Sequence, residues 1–269
     1  MEQVFINGKS TQPGVPLRAL FYGEGVFETF RCKAGMPVFF EKHYSRMERG
    51  AGLLGIPLAG IGNLINLIEQ ALSDTHLPDA YVKVCLLSDG GSNYYDSPKR
   101  GAVAIIIRDY IPREEPVKVS ISNFNRNSGS PVTRIKSLNY LENVIARREA
   151  NRTGFDESLF LNERGELSEC TSSNIFWVKK YTLYTPSFEC GILPGVTREI
   201  LIKSVSALGL TIEEGRYYPE DLEGSGFAFL TNSLSGSLII SRLGGLNLPV
   251  HDDLYESIKK QLHSKLGWD

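Results

Sequence analysis

Cysteine is scarce in this chain, and where it occurs it is scattered. Cys32, Cys85, Cys170 and Cys190 form no C-x-x-C pair. A disulfide framework or a zinc site is therefore not expected, and a reducing compartment, the cytoplasm, is. Histidine is as sparse. The four are isolated and no H-E-x-x-H occurs, so no metal ligand set is expected. Charge of one sign is also missing: a net −2 over 269 residues gives no bias toward nucleic acid or an anionic membrane. Long apolar runs are absent, and stretches such as Ala102–Ile107 are far too short to span a bilayer. The opening MEQVFINGKS reads as a short strand entering an Asn-Gly turn, not as a secretory leader. No internal repeat or low-complexity segment is visible.

What is present is an ordinary apolar and charged content, in a chain long enough for one large domain or two smaller ones. Val4–Ile6, Val26–Arg31 and Val38–Phe40 read as strands, the last two joined by a turn at Ala34-Gly35. His43–Leu54 and Leu64–Leu72 carry apolar residues at helical spacing. Tyr81–Leu87 and Ala102–Ile107 are β-rich, and the polar stretch Ser88–Arg100 between them is a loop long enough to be functional. Charge and proline gather at Arg108–Pro116, which predicts an interdomain linker and two domains, 1–112 and 117–269.

The second domain opens with a strand and a loop, 123–131, before Arg134-Ile135-Lys136, read as a strand end. The helix that follows has Leu141, Val144 and Ile145 on one side. Two hairpins pair Ser158–Leu161 with Glu166–Glu169 and Asn174–Val178 with Thr182–Thr185. A helix from Thr197, strands at Thr211–Glu214 and Phe227–Thr231, and a terminal helix with Leu254, Ile258, Leu262 and Leu266 complete it. The reading is an α+β chain whose second half is mostly antiparallel.

Four places carry residues suited to chemistry, and each has an ordinary reading beside the functional one. Lys136 lies between Ile135 and Leu138, apolar neighbours that would desolvate its ammonium and make the amine nucleophilic; otherwise it is a surface lysine. Glu169 precedes Cys170-Thr171-Ser172-Ser173-Asn174, a turn rich in hydroxyls that suits a polar ligand; otherwise it faces water. Gly191–Thr197 (GILPGVT) runs into a helix whose N–H groups and threonine hydroxyl would make an anion cup; otherwise Thr197 is a plain cap. Arg46, one turn into the first long helix, would add positive charge to that cup or sit in solvent. An imine-forming lysine, a carboxylate and a phosphate cup are what pyridoxal phosphate asks of a protein.

In this order the segments resemble the fold type IV pyridoxal-phosphate proteins, which include branched-chain and D-amino acid aminotransferases and aminodeoxychorismate lyases. The resemblance rests on Tyr22–Arg31 (YGEGVFETFR), His43–Arg46 (HYSR), Ile135–Asn143 (IKSLNYLEN), Asp156–Phe176, Gly191–Arg198 (GILPGVTR) and Thr231–Leu234 (TNSL). It implies an N-terminal α/β domain, a C-terminal barrel-like domain, pyridoxal 5'-phosphate in the cleft between them, and a homodimer. Residue by residue, it makes Lys136 the Schiff-base lysine and Glu169 the partner of the pyridine nitrogen. Arg46, Val196, Thr197 and Thr231 become the phosphate ligands, with Asn174 also beside the cofactor and Tyr140 near its phenolic oxygen. Asn232, Tyr81 and Lys83 are expected to face a small amino substrate.

The form TNSL and the Glu28-Thr29 pair are similar to the lyases, in which a threonine at the Thr29 position takes part in elimination. The aminotransferases carry Thr/Ser-x-Ala/Ser-Glu-Ile where this chain has Thr231-Asn232-Ser233-Leu234. Against the lyase pattern, Asp89-Gly90 stands where an Arg-Gly is usual, and Lys83 is the cation expected to substitute. The resemblance implies release of pyruvate and 4-aminobenzoate from 4-amino-4-deoxychorismate. The alternatives are transamination of branched-chain or D-amino acids with a 2-keto acid, and a non-catalytic cofactor-binding relative.

Overall fold

The computed structural model describes residues 5–6, 9–10, 16–90 and 93–269. Strands β1 (Phe5–Ile6) and β2 (Lys9–Ser10) pair antiparallel. The expected strand at 4–6 is met at 5–6; residue 4 and the Asn-Gly turn lie outside the described residues. Helix α1 (Leu17–Tyr22) leads to β3 (Gly25–Lys33), α2 (Phe40–Leu54), α3 (Ile61–Thr75), β4 (Asp79–Asp89) and β5 (Arg100–Asp109).

Strands β3, β4 and β5 form an antiparallel sheet with strict alternation between its faces. Val26, Phe30, Val82, Val84 and Leu86 turn toward α2 and α3 and pack on Met47, Ala51, Leu64 and Ile68. Phe27, Thr29, Arg31, Tyr81 and Lys83 occupy the other face. The expected strand at 38–40 is absent. Phe40 begins α2, its N–H bonded to Pro37 O at 3.0 Å, and its ring packs edge-on against Phe30. Burial of Phe40 in the first core decides this over β-propensity, while Val38 is left exposed.

The rest of the chain gives β6 (Val117–Ile121), α4 (Leu141–Arg152), β7 (Glu157–Leu161), β8 (Leu167–Cys170), β9 (Asn174–Lys179) and β10 (Thr182–Pro186). It continues through α5 (Val196–Ser204), β11 (Thr211–Gly215), β12 (Phe227–Asn232), β13 (Gly236–Leu243), β14 (Leu246–Asn247) and α6 (Asp253–Lys265). The nine strands form one sheet, in the order β11-β10-β9-β12-β13-β6-β7-β8 with β14 on β13. Most pairs are antiparallel; β10–β11, β13–β6 and β6–β7 are parallel. The sheet curls until β8, at one end of the order, lies against β9 and β10. The fold is α+β, with a barrel-like second sheet.

Both faces of that sheet are covered. Phe176, Phe227 and Phe229 pack on α5 and α6, while Leu159, Leu167, Ile175, Trp177 and Leu238 fill the concave side. Strand β13 escapes a reading by alternation for this reason, since Leu238, Ile239 and Ile240 are all buried. Of the stretch expected as a linker, 108–116, the first two residues belong to β5, and the rest is tied down: Glu115 accepts from Ile239 N–H at 3.1 Å and from the Tyr255 hydroxyl at 2.9 Å.

Two expectations are corrected around α4. Lys136 does not end a strand. It follows a 3-10 turn at Pro131–Arg134, where Pro131 lacks an N–H and the Ser130 hydroxyl caps Val132. The lysine's own carbonyl accepts from Phe27 N–H at 2.8 Å, and Ser137 bridges to Val26, so the segment is pinned along β3. Helix α4 then buries Asn143, Ala146 and Ala150 and leaves Leu141 and Ile145 exposed, the reverse of its apolar pattern.

Candidate active site

The free face of the first sheet and the concave mouth of the second enclose one cavity of about 730 Å³. All twelve residues singled out in the sequence line it: Thr29, Arg46, Tyr81, Lys83, Lys136, Tyr140, Glu169, Asn174, Val196, Thr197, Thr231 and Asn232. Strand register explains the first group. Thr29 stands directly opposite Lys83 across β3 and β4, and Arg31 opposite Tyr81, so these side chains share the open face.

Lys136 projects into the cavity with its Nζ 4.5 Å from the centre of the Phe27 ring and 5.9 Å from that of Tyr140. The Lys83 ammonium lies on the same Phe27 ring at 4.2 Å. Protein surrounds Lys136 on most sides, and that burial, with the Arg46 charge, lowers its pKa to about 8. The Tyr140 ring meets Phe27 edge-on at 5.3 Å and its hydroxyl donates to the Thr171 carbonyl. Burial and the nearby carboxylates push that phenol well up.

Glu169 lies on β8 and is almost fully buried. Its Oε2 accepts from Leu193 N–H at 2.9 Å, and its Oε1 is 3.8 Å from the Arg126 guanidinium. Burial raises its pKa, with Arg126 the strongest opposing influence. The GILPGVT loop is held in turn by Asn174, whose Nδ2 donates to Leu193 O at 3.2 Å. Gly195 is required there: a Cβ would lie 2.1 Å from Asn174 Oδ1. Helix α5 starts immediately after it, with no side chain capping its first N–H groups. The Thr197 hydroxyl is 3.0 Å from that of Ser233. Asn232 spends its amide on a turn, accepting from the N–H of Leu234 and Ser235 and donating to Ser173.

Arg46 is more constrained than a solvated helix residue. Its Nε and one NH2 donate to Glu28 at 2.7 and 2.6 Å, and its NH1 donates to Pro194 O at 3.0 Å. Glu28 also accepts from His43 Nδ1 at 2.7 Å. Despite full burial its pKa is pulled down to about 2, chiefly by Arg46. Burial lowers the pKa of His43, so we assign it as a neutral donor and Arg46 as the countercharge. Glu28, His43 and Arg126 were not picked out in the sequence as site residues. For Glu28 a signal existed, since alternation in β3 puts this carboxylate on the core face, where it must have partners. Arg126 sits in an irregular loop and offers no such signal.

The family model for amino-transferase class IV matches residues 25–243. This chain belongs to that family. An aminodeoxychorismate lyase of Bacillus subtilis (strain 168) is 30% identical over 288 residues, covering 98% of this chain and 97% of the relative. The branched-chain-amino-acid aminotransferase of Escherichia coli (strain K12) is 27% identical, over 86% of this chain and 79% of its own. Among solved structures, a Legionella pneumophila protein provisionally named 4-amino-4-deoxychorismate lyase superposes with a TM-score of 0.89 at 29% identity, over 97% and 98% of the two chains. The class IV chain is thus a pyridoxal-phosphate-dependent enzyme of fold type IV, a lyase or an aminotransferase.

The cavity residues fit that cofactor. Thr231 Oγ1 is buried and has no hydrogen-bond partner among the described residues, so a polar ligand is wanted at that point. It shares the cavity with the uncapped start of α5 and with Arg46, an arrangement suited to a phosphate. Among the described residues no helix is long and apolar enough to cross a membrane.

Proposed function

We propose that this enzyme is an aminodeoxychorismate lyase, which splits 4-amino-4-deoxychorismate into 4-aminobenzoate and pyruvate. One observation carries the reading: Thr29 and Lys83 face each other on the cavity wall, with the Lys83 and Lys136 amines on the same Phe27 ring. A hydroxyl and a second cation beside the reactive lysine suit a substrate with two carboxylates that loses an enol fragment. Asp89, in place of the usual arginine, is occupied with Arg100 at 2.9 Å, and Lys83 supplies the charge from the strand itself.

Pyridoxal phosphate, when bound, supplies an electron sink that stabilises negative charge on the carbon next to the substrate amine. The chain's residues do the rest. Arg46, Val196, Thr197 and Thr231 would hold the phosphate, Asn174 braces the loop that leads into Val196 and Thr197, and Tyr140 would lie near the phenolic oxygen. Glu169 would pair with the ring nitrogen and keep a proton there. Lys136, with a pKa lowered to about 8, would take the proton from the amine-bearing carbon and can return it. The Thr29 hydroxyl donates to the departing pyruvyl oxygen, while Lys83 and Tyr81, with Asn232 beside them, position the acid groups.

The aminotransferase reading is favoured by the Escherichia coli relative. A direct assay separates the two. The purified enzyme is given aminodeoxychorismate, and separately L- and D-amino acids with 2-oxoglutarate. Pyruvate with 4-aminobenzoate is expected; keto-acid formation alone assigns it as an aminotransferase. We further propose a homodimer, because Leu141, Ile145 and Val132 expose apolar surface and two of them line the cavity. Four free, buried cysteines suit the cytoplasm as its location.

A further inference from the structure

Arg126 reaches the cavity from the segment between β6 and α4. Only 8% of its surface is exposed, and its guanidinium lies 4.1 Å from the centre of the Phe160 ring. One long hydrogen bond, NH1 to Asn143 Oδ1 at 3.4 Å, engages it. Nε and NH2 find no hydrogen-bond partner among the described residues. A buried guanidinium with idle donors is costly, so this end of the cavity must offer it negative charge. Two carboxylates lie 3.8 Å away: exposed Glu142, whose Oε2 is that far from NH1, and buried Glu169, whose Oε1 is that far from NH2; only the buried one is shielded from solvent.

A carboxyl group facing a pyridine nitrogen shares one proton with it in one of two ways. Either the carboxylate faces a protonated ring, or a carboxylic acid faces a neutral one. In a buried site the uncharged form is favoured, because separated charges lose hydration. A cation in contact with the carboxylate reverses the preference, since Coulomb energy falls with distance. Lys136 and Arg46 also act on Glu169, though less strongly than Arg126.

We infer that Arg126 is a positioning residue that fixes Glu169 as a carboxylate and so keeps the shared proton on the cofactor's ring nitrogen. This rests on Glu169 being the ring partner, as proposed above. Among the described residues no hydrogen bond or ion pair joins Arg126 to Lys136 or to the phosphate cup, so its effect falls on the electronic state of the ring and not on its retention.

The test uses holoenzyme loaded with cofactor labelled with nitrogen-15 in the ring, whose chemical shift reports protonation at that atom. Wild type gives the protonated signal. Arg126→Met, which keeps an apolar stem against Phe160 and frees Asn143 Oδ1, moves it toward the unprotonated position and lowers kcat, with cofactor affinity held. Arg126→Lys restores the wild-type signal. Arg126→Met combined with Glu169→Gln has a kcat within about twofold of Glu169→Gln alone, because both act at one point. An unchanged signal in Arg126→Met, beside a shifted one in Glu169→Gln, overturns the role of Arg126. Losses that multiply in the double variant overturn it too. An unchanged signal in Glu169→Gln instead removes Glu169 as the ring partner, and the inference with it.

Discussion

At pH 7 an amine with a pKa of about 8 is neutral about a tenth of the time, several hundredfold more often than an ordinary lysine. That difference follows from Phe27, Tyr140 and Arg46 around Lys136, and it gives a pH signature. Covalent uptake of pyridoxal phosphate by the cofactor-free protein should quicken about tenfold per pH unit up to pH 8 and then level off. A rate still climbing at pH 9.5 would show an unperturbed lysine. Lys136→Ala should lower turnover by roughly 10²–10⁴-fold, the usual worth of a positioned base, while phosphate-cup binding persists. Thr29→Val keeps the shape of the strand and removes one hydroxyl. If that hydroxyl serves the departing group, pyruvate release falls about tenfold with cofactor affinity unchanged. A lone packing threonine would alter stability and leave the rate as it was.

At the scale of elements, periodicity carried most of the information. Strand β3 shows it best: alternation both filled the first core and set Thr29 toward the cavity, where register then placed Lys83 opposite. What sequence could not show was decided by contacts remote in the chain. Phe40 became helical because Phe30 was there to receive it, and β13 lost its alternation because both sides are covered. Lys136, read as a site residue, does line the cavity, but its turn was not legible, since its bonds to β3 fix that backbone. The short loop before α5 was legible as a lining of the cavity, though its tightness was not. Gly195 abuts Asn174 so closely that an added methyl must push the loop or the amide aside. Gly195→Ala should therefore destabilise the fold by about 1–3 kcal/mol and weaken cofactor binding, read by thermal unfolding and by equilibrium dialysis. Combining it with Asn174→Ala should recover part of the stability, because the clashing amide is gone.

The whole molecule depends on joints between its two larger sheets, which we propose as the centres of domains 1–112 and 117–269. Arg46 binds Glu28 on one side and Pro194 O on the other, Ser137 bridges to Val26, and the Lys33 ammonium bonds the Trp268 carbonyl. Exposed Leu141 and Ile145 are the surface we assign to a second copy. Leu141→Asp with Ile145→Asp should shift sedimentation from dimer to monomer; a dimer unmoved by both charges must use another face. The Glu28–Arg46 joint also has a pH limit, and its sign is fixed by the direction of the shift. Burial alone would raise the Glu28 carboxyl, but Arg46 and the His43 hydrogen bond hold it at about 2, below its ordinary value of 4.5. A carboxyl depressed by folding contributes its full stabilisation above the unfolded value and loses it as pH falls toward the folded one. The joint should thus cost the protein roughly 3 kcal/mol between pH 4.5 and 2. Urea unfolding across that interval measures it. Glu28→Gln, already weakened at neutral pH by an uncompensated Arg46, should show a markedly flatter slope. Parallel slopes for the two proteins would mean that other carboxylates carry the acid sensitivity, and that Glu28 titrates alike in the folded and unfolded chain.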